Sequence, residues 1–345
     1  MLHLEKEIFE QPAVLEKLAQ NQAAHIAGIA EEIRRKNVSH IVLAARGTSD
    51  NAATYGRYLL ESLAGIVVSL AAPSLFTLYK DPPRLDQSLV IGISQSGEST
   101  DIIQVIEEAN RQDALTLAIT NDGDSPLAES PDHLITLEAG EERSVAATKT
   151  YTAELMALAF LTAHLSQNQA LLTDLERVPG WVEETLNLCD VIHSVAERYR
   201  YMEELVVLGR GYNYATAFET ALKLKETCYL GTQPYSTADF RHGPIAVVEG
   251  GFPAWIIGTK GPVLDDVLDC AKELVEKNAE LIAVSDQPAL LDLARTPLKM
   301  PSDVPEWVSP IPYVVPGQLF ALFLSVTRGY NPDQPRGLHK VTRTI

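Results

Sequence analysis

The chain has 345 residues, 46% hydrophobic and 21% charged, which is length enough for two globular domains. Its formal net charge of -18 at pH 7 repels nucleic acid and anionic membranes, and no uninterrupted apolar run of about eighteen residues is present to cross a bilayer. Three scattered cysteines, Cys189, Cys228 and Cys270, suit neither a disulfide framework nor a zinc site, and the opening Met1-Leu2-His3-Leu4-Glu5-Lys6-Glu7 is not a signal or transit peptide. The expectation is a cytoplasmic protein acting on a small molecule, without a cofactor, a metal or a nucleic-acid or membrane partner.

From residue 5 to about residue 36 the pattern is helical, with an interruption at Pro12; Val14, Leu15, Leu18, His25, Ile26, Ile29 and Ile33 recur at three- and four-residue steps. A strand follows at 40–45, ending in Arg46-Gly47-Thr48-Ser49-Asp50-Asn51 and opening into a helix over 52–63. Further strands are expected at 67–70, 88–93, 114–120 and 133–137, and a long apolar helix at 146–166. Alternation of strand and helix implies an α/β fold with a mostly parallel sheet covered on both faces.

The densest chemistry lies between the strand at 88–93 and its following helix, in Ser94-Gln95-Ser96-Gly97-Glu98-Ser99-Thr100. Backbone N–H groups in a helix's first turn lack intrahelical partners, and the dipole makes that end positive, so a phosphate fits there. Gly97 permits close approach, while the hydroxyls of Ser94, Ser96, Ser99 and Thr100 and the Gln95 amide can donate to phosphate oxygens. Ordinary N-capping is the alternative for these hydroxyls, but one cap needs one of them.

The pattern then repeats. Leu205-Val206-Val207-Leu208-Gly209-Arg210-Gly211, the run 254–261 and the run 281–286 match the strand ends at 41–47, 90–97 and 117–120, about 165 residues further on. Two similar α/β domains are therefore expected at 37–168 and 200–335, with N-terminal helices at 1–36, a helical linker at 169–199 and a C-terminal tail at 336–345. The second copy keeps little of the serine cluster, having Thr259-Lys260-Gly261-Pro262.

Several motifs together carry a resemblance. They are Lys6-Glu7-Ile8-Phe9-Glu10-Gln11-Pro12, Gly47-Thr48-Ser49, Ser94-Gln95-Ser96-Gly97-Glu98-Ser99, Ser144-Val145-Ala146-Ala147-Thr148-Lys149, Ala221-Leu222-Lys223-Leu224-Lys225-Glu226, His242-Gly243-Pro244 and Asp333-Gln334-Pro335-Arg336. In this order they resemble the tandem sugar isomerase (SIS) domain family, in particular the isomerase half of glutamine–fructose-6-phosphate amidotransferase. The resemblance implies two SIS domains, each a flavodoxin-like three-layer sandwich. That synthase carries a glutaminase domain with an N-terminal cysteine, whereas no cysteine here precedes Cys189, so a module working without glutamine is expected. Arg46 stands where the synthase usually has Cys, and Ala147 where it has Ser; both make the chain more similar to stand-alone SIS-type glucosamine-6-phosphate deaminases.

By the same resemblance Glu226 is the general base and His242 the ring-opening group, reaching the site from the neighbouring subunit of a homodimer. Lys340 is implied to hold the open-chain ketose. Thr48, Ser49, Ser94, Gln95, Ser96, Ser99, Val145 and Ala147 are implied to contact the phosphate or sugar. Glu219, Lys223 and Glu226 fall at i, i+4 and i+7 on one helix face, which spacing alone reads as a solvated salt-bridge stripe. Arg46 could pair with Asp50 or reach the ligand. His25, His40, His133, His164 and His193 fall in expected helices or strands and read as structural. The reading is conversion of glucosamine 6-phosphate to fructose 6-phosphate and ammonia; the alternatives are another aldose–ketose isomerase, a fructosamine-6-phosphate deglycase, and a non-catalytic sugar-phosphate sensor.

Overall fold

The computed structural model describes residues 1–340. Ten strands form two five-stranded sheets in which every pair is parallel. The first contains β1 (His40–Ala44), β2 (Val67–Leu70), β3 (Ser88–Ile93), β4 (Leu115–Thr120) and β5 (His133–Thr136) in the order β2-β1-β3-β4-β5. The second contains β6 (Glu204–Gly209), β7 (Gly231–Ser236), β8 (Pro253–Gly258), β9 (Glu280–Ser285) and β10 (Thr296–Lys299) in the order β10-β9-β8-β6-β7. Read from the other edge, that is the same winding. The flavodoxin-like order reverses between β1 and β3 and again between β6 and β8, and such reversals open the crevices that take ligands at the carboxyl ends of strands.

Contacts divide the chain into two units. One, built on the first sheet, contains Glu10–Glu142, Lys149–Pro179, His339 and Lys340; the other, built on the second sheet, contains Met1–Phe9, Arg143–Thr148 and Gly180–Leu338. The lowered sequence signal of β7 and β10 has a physical cause: each carries a proline, Pro234 and Pro297, and each lies at a sheet edge, where a missing N–H costs least.

In the first unit, Val42, Ala44 and Val90 pack against Ile102, Val105 and Ile106 of the helix Thr100–Arg111. All six are buried, at roughly 1.5–3 kcal/mol for each large side chain. In the second unit, Val206, Leu208 and Ile256 meet Val267, Cys270 and Leu274 of the helix Leu264–Glu276 in the same way. The segment Pro310–Thr327 is long and apolar enough to cross a membrane, but 83% of it is buried inside the fold, as a core helix would be.

The N-terminal helix runs without a break from His3 to Arg35, through Pro12. The expected interruption is absent because Ile8, Leu15 and Leu18, on either side of the proline, are fully buried, and that packing outweighs one withdrawn intrahelical bond. Its first turn is capped from the far end of the chain: the Asp333 carboxylate accepts the N–H groups of His3 and Leu4, each at 2.8 Å. The apolar helix expected at 146–166 begins only at Lys149. Residues 143–148 instead form an irregular, bent segment, whose start is held by Glu7: its carboxylate accepts the N–H groups of Arg143 and Ser144 and the Ser144 hydroxyl.

Candidate active-site elements

The crevice of the first unit opens where β1 and β3 end. After β3, Gly97 adopts φ +65°, and a Cβ there would collide with the Ser125 side chain, so glycine is required both by conformation and by space. The loop is braced from within. Ser94 Oγ accepts the Gly97 N–H at 3.2 Å and lies 3.2 Å from Ser99 Oγ, and Ser96 Oγ accepts the Glu98 N–H at 3.2 Å. The Gln95 carbonyl accepts the Asn121 N–H at 3.2 Å, tying the loop to the end of β4.

None of these hydroxyls caps the helix that follows. Ser99 is the N-cap residue of Thr100–Arg111, yet it makes no side-chain capping bond. The Ser99 hydroxyl is therefore not spent on capping, and a helix N-terminus is where backbone N–H groups and the dipole favour an anion. Ser94 is buried and serves mainly as a brace, while Gln95, Ser96 and Ser99 remain partly exposed and can reach a ligand.

At the end of β1 the positions divide. Gly47 is the N-cap of the helix Thr48–Leu63, with φ +56° and no side-chain cap, and Thr48 is partly exposed. Ser49 is buried and donates to Glu154 at 2.8 Å, which commits its hydroxyl to the interior. Arg46 forms its ion pair with Asp101, Nε to Oδ2 at 2.6 Å, and not with Asp50. The reason is burial: Asp101 is entirely enclosed and needs a counter-charge, whereas Asp50 lies exposed.

In the second unit, the helix Asn213–Cys228 follows β6 and carries the three charged residues of the expected stripe. They are not solvated as a group. Glu219 and Lys223 are buried, and only Glu226, with 21% of its side chain exposed, reaches the surface. Lys223 Nζ lies 3.2 Å from Glu219 Oε1 and 2.7 Å from Glu226 Oε2. Burial by itself would lower the Lys223 ammonium, but the charges of Glu219 and Glu226 outweigh it and hold the group above the ordinary lysine value. The ammonium is therefore a fixed positive charge that orients the Glu226 carboxylate. Tyr229 ends this helix in a left-handed conformation, and the Arg336 guanidinium stacks 3.7 Å over its ring while Tyr229 Oη accepts the Arg336 N–H at 2.8 Å.

His242 is exposed at the end of the short helix Thr237–Arg241, which is anchored by buried Phe240 and capped by Ser236. Val145 and Ala147 are partly exposed on the irregular segment that follows the residues bonded by Glu7. These three and Glu226 belong to the second unit. Lys340 belongs to the first, and its ammonium donates to the buried Glu142 carboxylate at 2.9 Å. The last part of the expected tail, residues 341–345, lies outside the described residues. His25, His40, His133, His164 and His193 all lie in helices or strands, as expected. Among the described residues no three His, Cys, Asp or Glu side chains come together as metal ligands.

Sequence reasoning missed three side chains that position these parts. Glu7 fixes residues 143–144, and in the first unit Glu10 receives Lys149 Nζ at 2.8 Å and Gln11 receives the Thr152 hydroxyl at 3.0 Å. The run Lys6 to Pro12 was visible as a motif; its use as a latch was not, because its partners lie far along the chain.

The SIS domain family model matches residues 32–164 and 200–327. A glutamine–fructose-6-phosphate aminotransferase (isomerizing) of Thermus thermophilus is 35% identical over 97% of this chain and 58% of its own length. The enzyme of that name from Methanothermobacter thermautotrophicus is 37% identical over 97% of this chain and 56% of its own. The chain thus spans less than two thirds of these relatives. Among solved structures, the C-terminal domain of glucosamine-fructose-6-phosphate aminotransferase from Francisella tularensis superposes with a TM-score of 0.89 at 28% identity, covering 97% of this chain and 98% of that one. A glucosamine-6-phosphate deaminase from Thermotoga maritima shares the fold, with a TM-score of 0.81 at 22% identity over 99% of this chain and 100% of that one. Two matched repeats, two sheets wound alike and relatives aligned along nearly the whole of this chain make it a member of the SIS domain family.

Proposed function

We propose that this protein is a hexosamine-phosphate isomerase and deaminase that converts glucosamine 6-phosphate and water to fructose 6-phosphate and ammonia. The observation that carries the reading is the Glu226 carboxylate, partly exposed and oriented by a buried ammonium 2.7 Å away. A base that takes a proton from one carbon and returns it to the next must be held in one place through both steps.

In this scheme the helix head after Ser99 and the side chains of Gln95, Ser96, Ser99 and Thr48 hold the phosphoryl group. His242 donates the proton that opens the ring. Glu226 removes the proton from C2 of the open-chain aldose, forming an enolamine, and delivers it to C1, leaving an imine at C2. Water adds to that imine and ammonia leaves. By the family resemblance Val145 and Ala147 border the sugar, and Lys340 holds the open-chain ketose. A homodimer in which His242 crosses to the neighbouring subunit fits its exposure at a helix end.

Support for deamination over plain isomerisation comes from Arg46 and Ala147, the two positions that resemble stand-alone deaminases. The test is incubation with glucosamine 6-phosphate and simultaneous assay of ammonia and fructose 6-phosphate. Equal release of the two supports the proposal. Interconversion of aldose and ketose phosphates without ammonia release assigns the same carboxylate to a plain isomerase, and hexose-phosphate binding without turnover assigns the protein to sensing.

A further inference from the structure

We propose that Arg46 is the cationic arm of a phosphate cradle otherwise built of hydroxyls and amides, held in place by Asp101; the inference rests on the sugar-phosphate reading above. β1 and β3 are parallel neighbours, with Ala44 opposite Gly92. Two residues further on, Arg46 leaves its strand level with Ser94, where the hydroxyl loop begins. Its side chain then reaches to the head of the helix Thr100–Arg111, since Nε lies 2.6 Å from Asp101 Oδ2 and Asp101 is in the first turn of that helix. The guanidinium thus stands at the helix end where the anion is expected.

The pairing uses one edge of the guanidinium. Asp101 is completely buried, its other oxygen accepts the Ile102 N–H at 3.0 Å, and it meets Arg46 through Nε alone. Half of the Arg46 side chain remains exposed, and it makes no other hydrogen bond or ion pair among the described residues. Asp50 is near enough to feel its charge but is not bonded to it. The free Nη edge presents two parallel donors, the arrangement that matches two oxygens of a phosphate. A lysine could not do both things, having a single charged nitrogen at its tip.

The charge balance gives Asp101 a meaning too. A carboxylate in the first turn favours the helix dipole but opposes a second anion at the same place. Arg46 cancels that opposition and adds its own attraction. If the pair only fastened β1 to the helix, cancelling the carboxylate would be the whole effect of the guanidinium on a bound phosphate.

The experiment is calorimetric titration of fructose 6-phosphate into the wild type, R46Q, R46K, D101N and R46Q/D101N, at low and moderate salt, with thermal unfolding of each as a fold control. The expected result is a loss of affinity of about tenfold or more in R46Q, the scale of one lost charge-assisted contact, with a flatter salt dependence. R46K is expected to fall between, and the double variant to stay weak. Affinity in R46Q within about twofold of the wild type, or wild-type affinity regained in R46Q/D101N, overturns the inference and leaves the sugar-phosphate reading intact. Failure of the wild type to bind any hexose 6-phosphate overturns both. Should R46Q not fold, R46K decides, because affinity equal to the wild type would show that the second edge of the guanidinium is not used.

Discussion

Lys223 Nζ stands 2.7 Å from Glu226 Oε2, and a second carboxylate, that of Glu219, holds the same ammonium from inside the protein at 3.2 Å. Two carboxylates share one positive charge. In the proposed function this shared counter-charge holds the Glu226 carboxylate in one orientation.

Replacing Lys223 by Met removes the ammonium that faces the buried Glu219 carboxylate. The expected loss of stability is about 3–5 kcal/mol, the range for breaking a buried pair by removing one partner. Denaturant unfolding checks it, and adding Glu219→Gln to Lys223→Met is expected to recover part of the loss.

Gly97 holds a left-handed conformation against Ser125. Gly97→Ala is expected to lose about 1–3 kcal/mol of stability and to weaken hexose-phosphate binding, since both backbone and contact must give. Combining it with Ser125→Gly removes the collision but not the strain, so thermal unfolding of the double variant should lie between the single variant and the wild type.

Asp333 caps the first turn of the N-terminal helix with both oxygens, on His3 and Leu4. Asp333→Ala is expected to cost about 1 kcal/mol, and Asp333→Asn less, because an amide oxygen still accepts one N–H. Hydrogen exchange at Leu4 should quicken in the Ala variant before exchange elsewhere in the chain changes.

Burial pushes the Cys228 and Cys270 thiols up to about 12 from an ordinary 9.0. At pH 8 the folded protein should alkylate at these positions only through unfolding, while the half-buried Cys189 reacts sooner. Because the folded thiols keep their protons longer, the unfolded state binds fewer protons above about pH 9 and stability must fall as pH rises from there toward about 12. Mass spectrometry after timed alkylation checks the first statement and denaturant unfolding at pH 8 and pH 10 the second.

Much of this was legible in the chain itself where the signal is local. The Val and Ile runs of β1, β3 and β6 declared themselves, as did the hydroxyl loop after β3, because strand, turn and helix head are consecutive. β7 and β10 were hidden by Pro234 and Pro297, which only an edge position makes tolerable. The helix spacing placed Glu219, Lys223 and Glu226 on one face but could not say which way that face points. Packing turned it inward. Glu7 with Ser144, 137 residues apart, and Asp333 with His3, 330 apart, join ends of the chain that no local pattern relates. The bond of the Ser49 hydroxyl to Glu154 is not legible in the loop, because its acceptor lies 105 residues away on another helix.

The most direct test is proton exchange at the sugar itself. In heavy water, the wild type incubated with glucosamine 6-phosphate or fructose 6-phosphate should bring deuterium to C1 or C2, read by nuclear magnetic resonance. Glu226→Gln should still bind the sugar phosphate while exchange falls by about 100- to 10,000-fold. Undiminished exchange in Glu226→Gln, or none in a folded wild type that binds the sugar, would contradict the account.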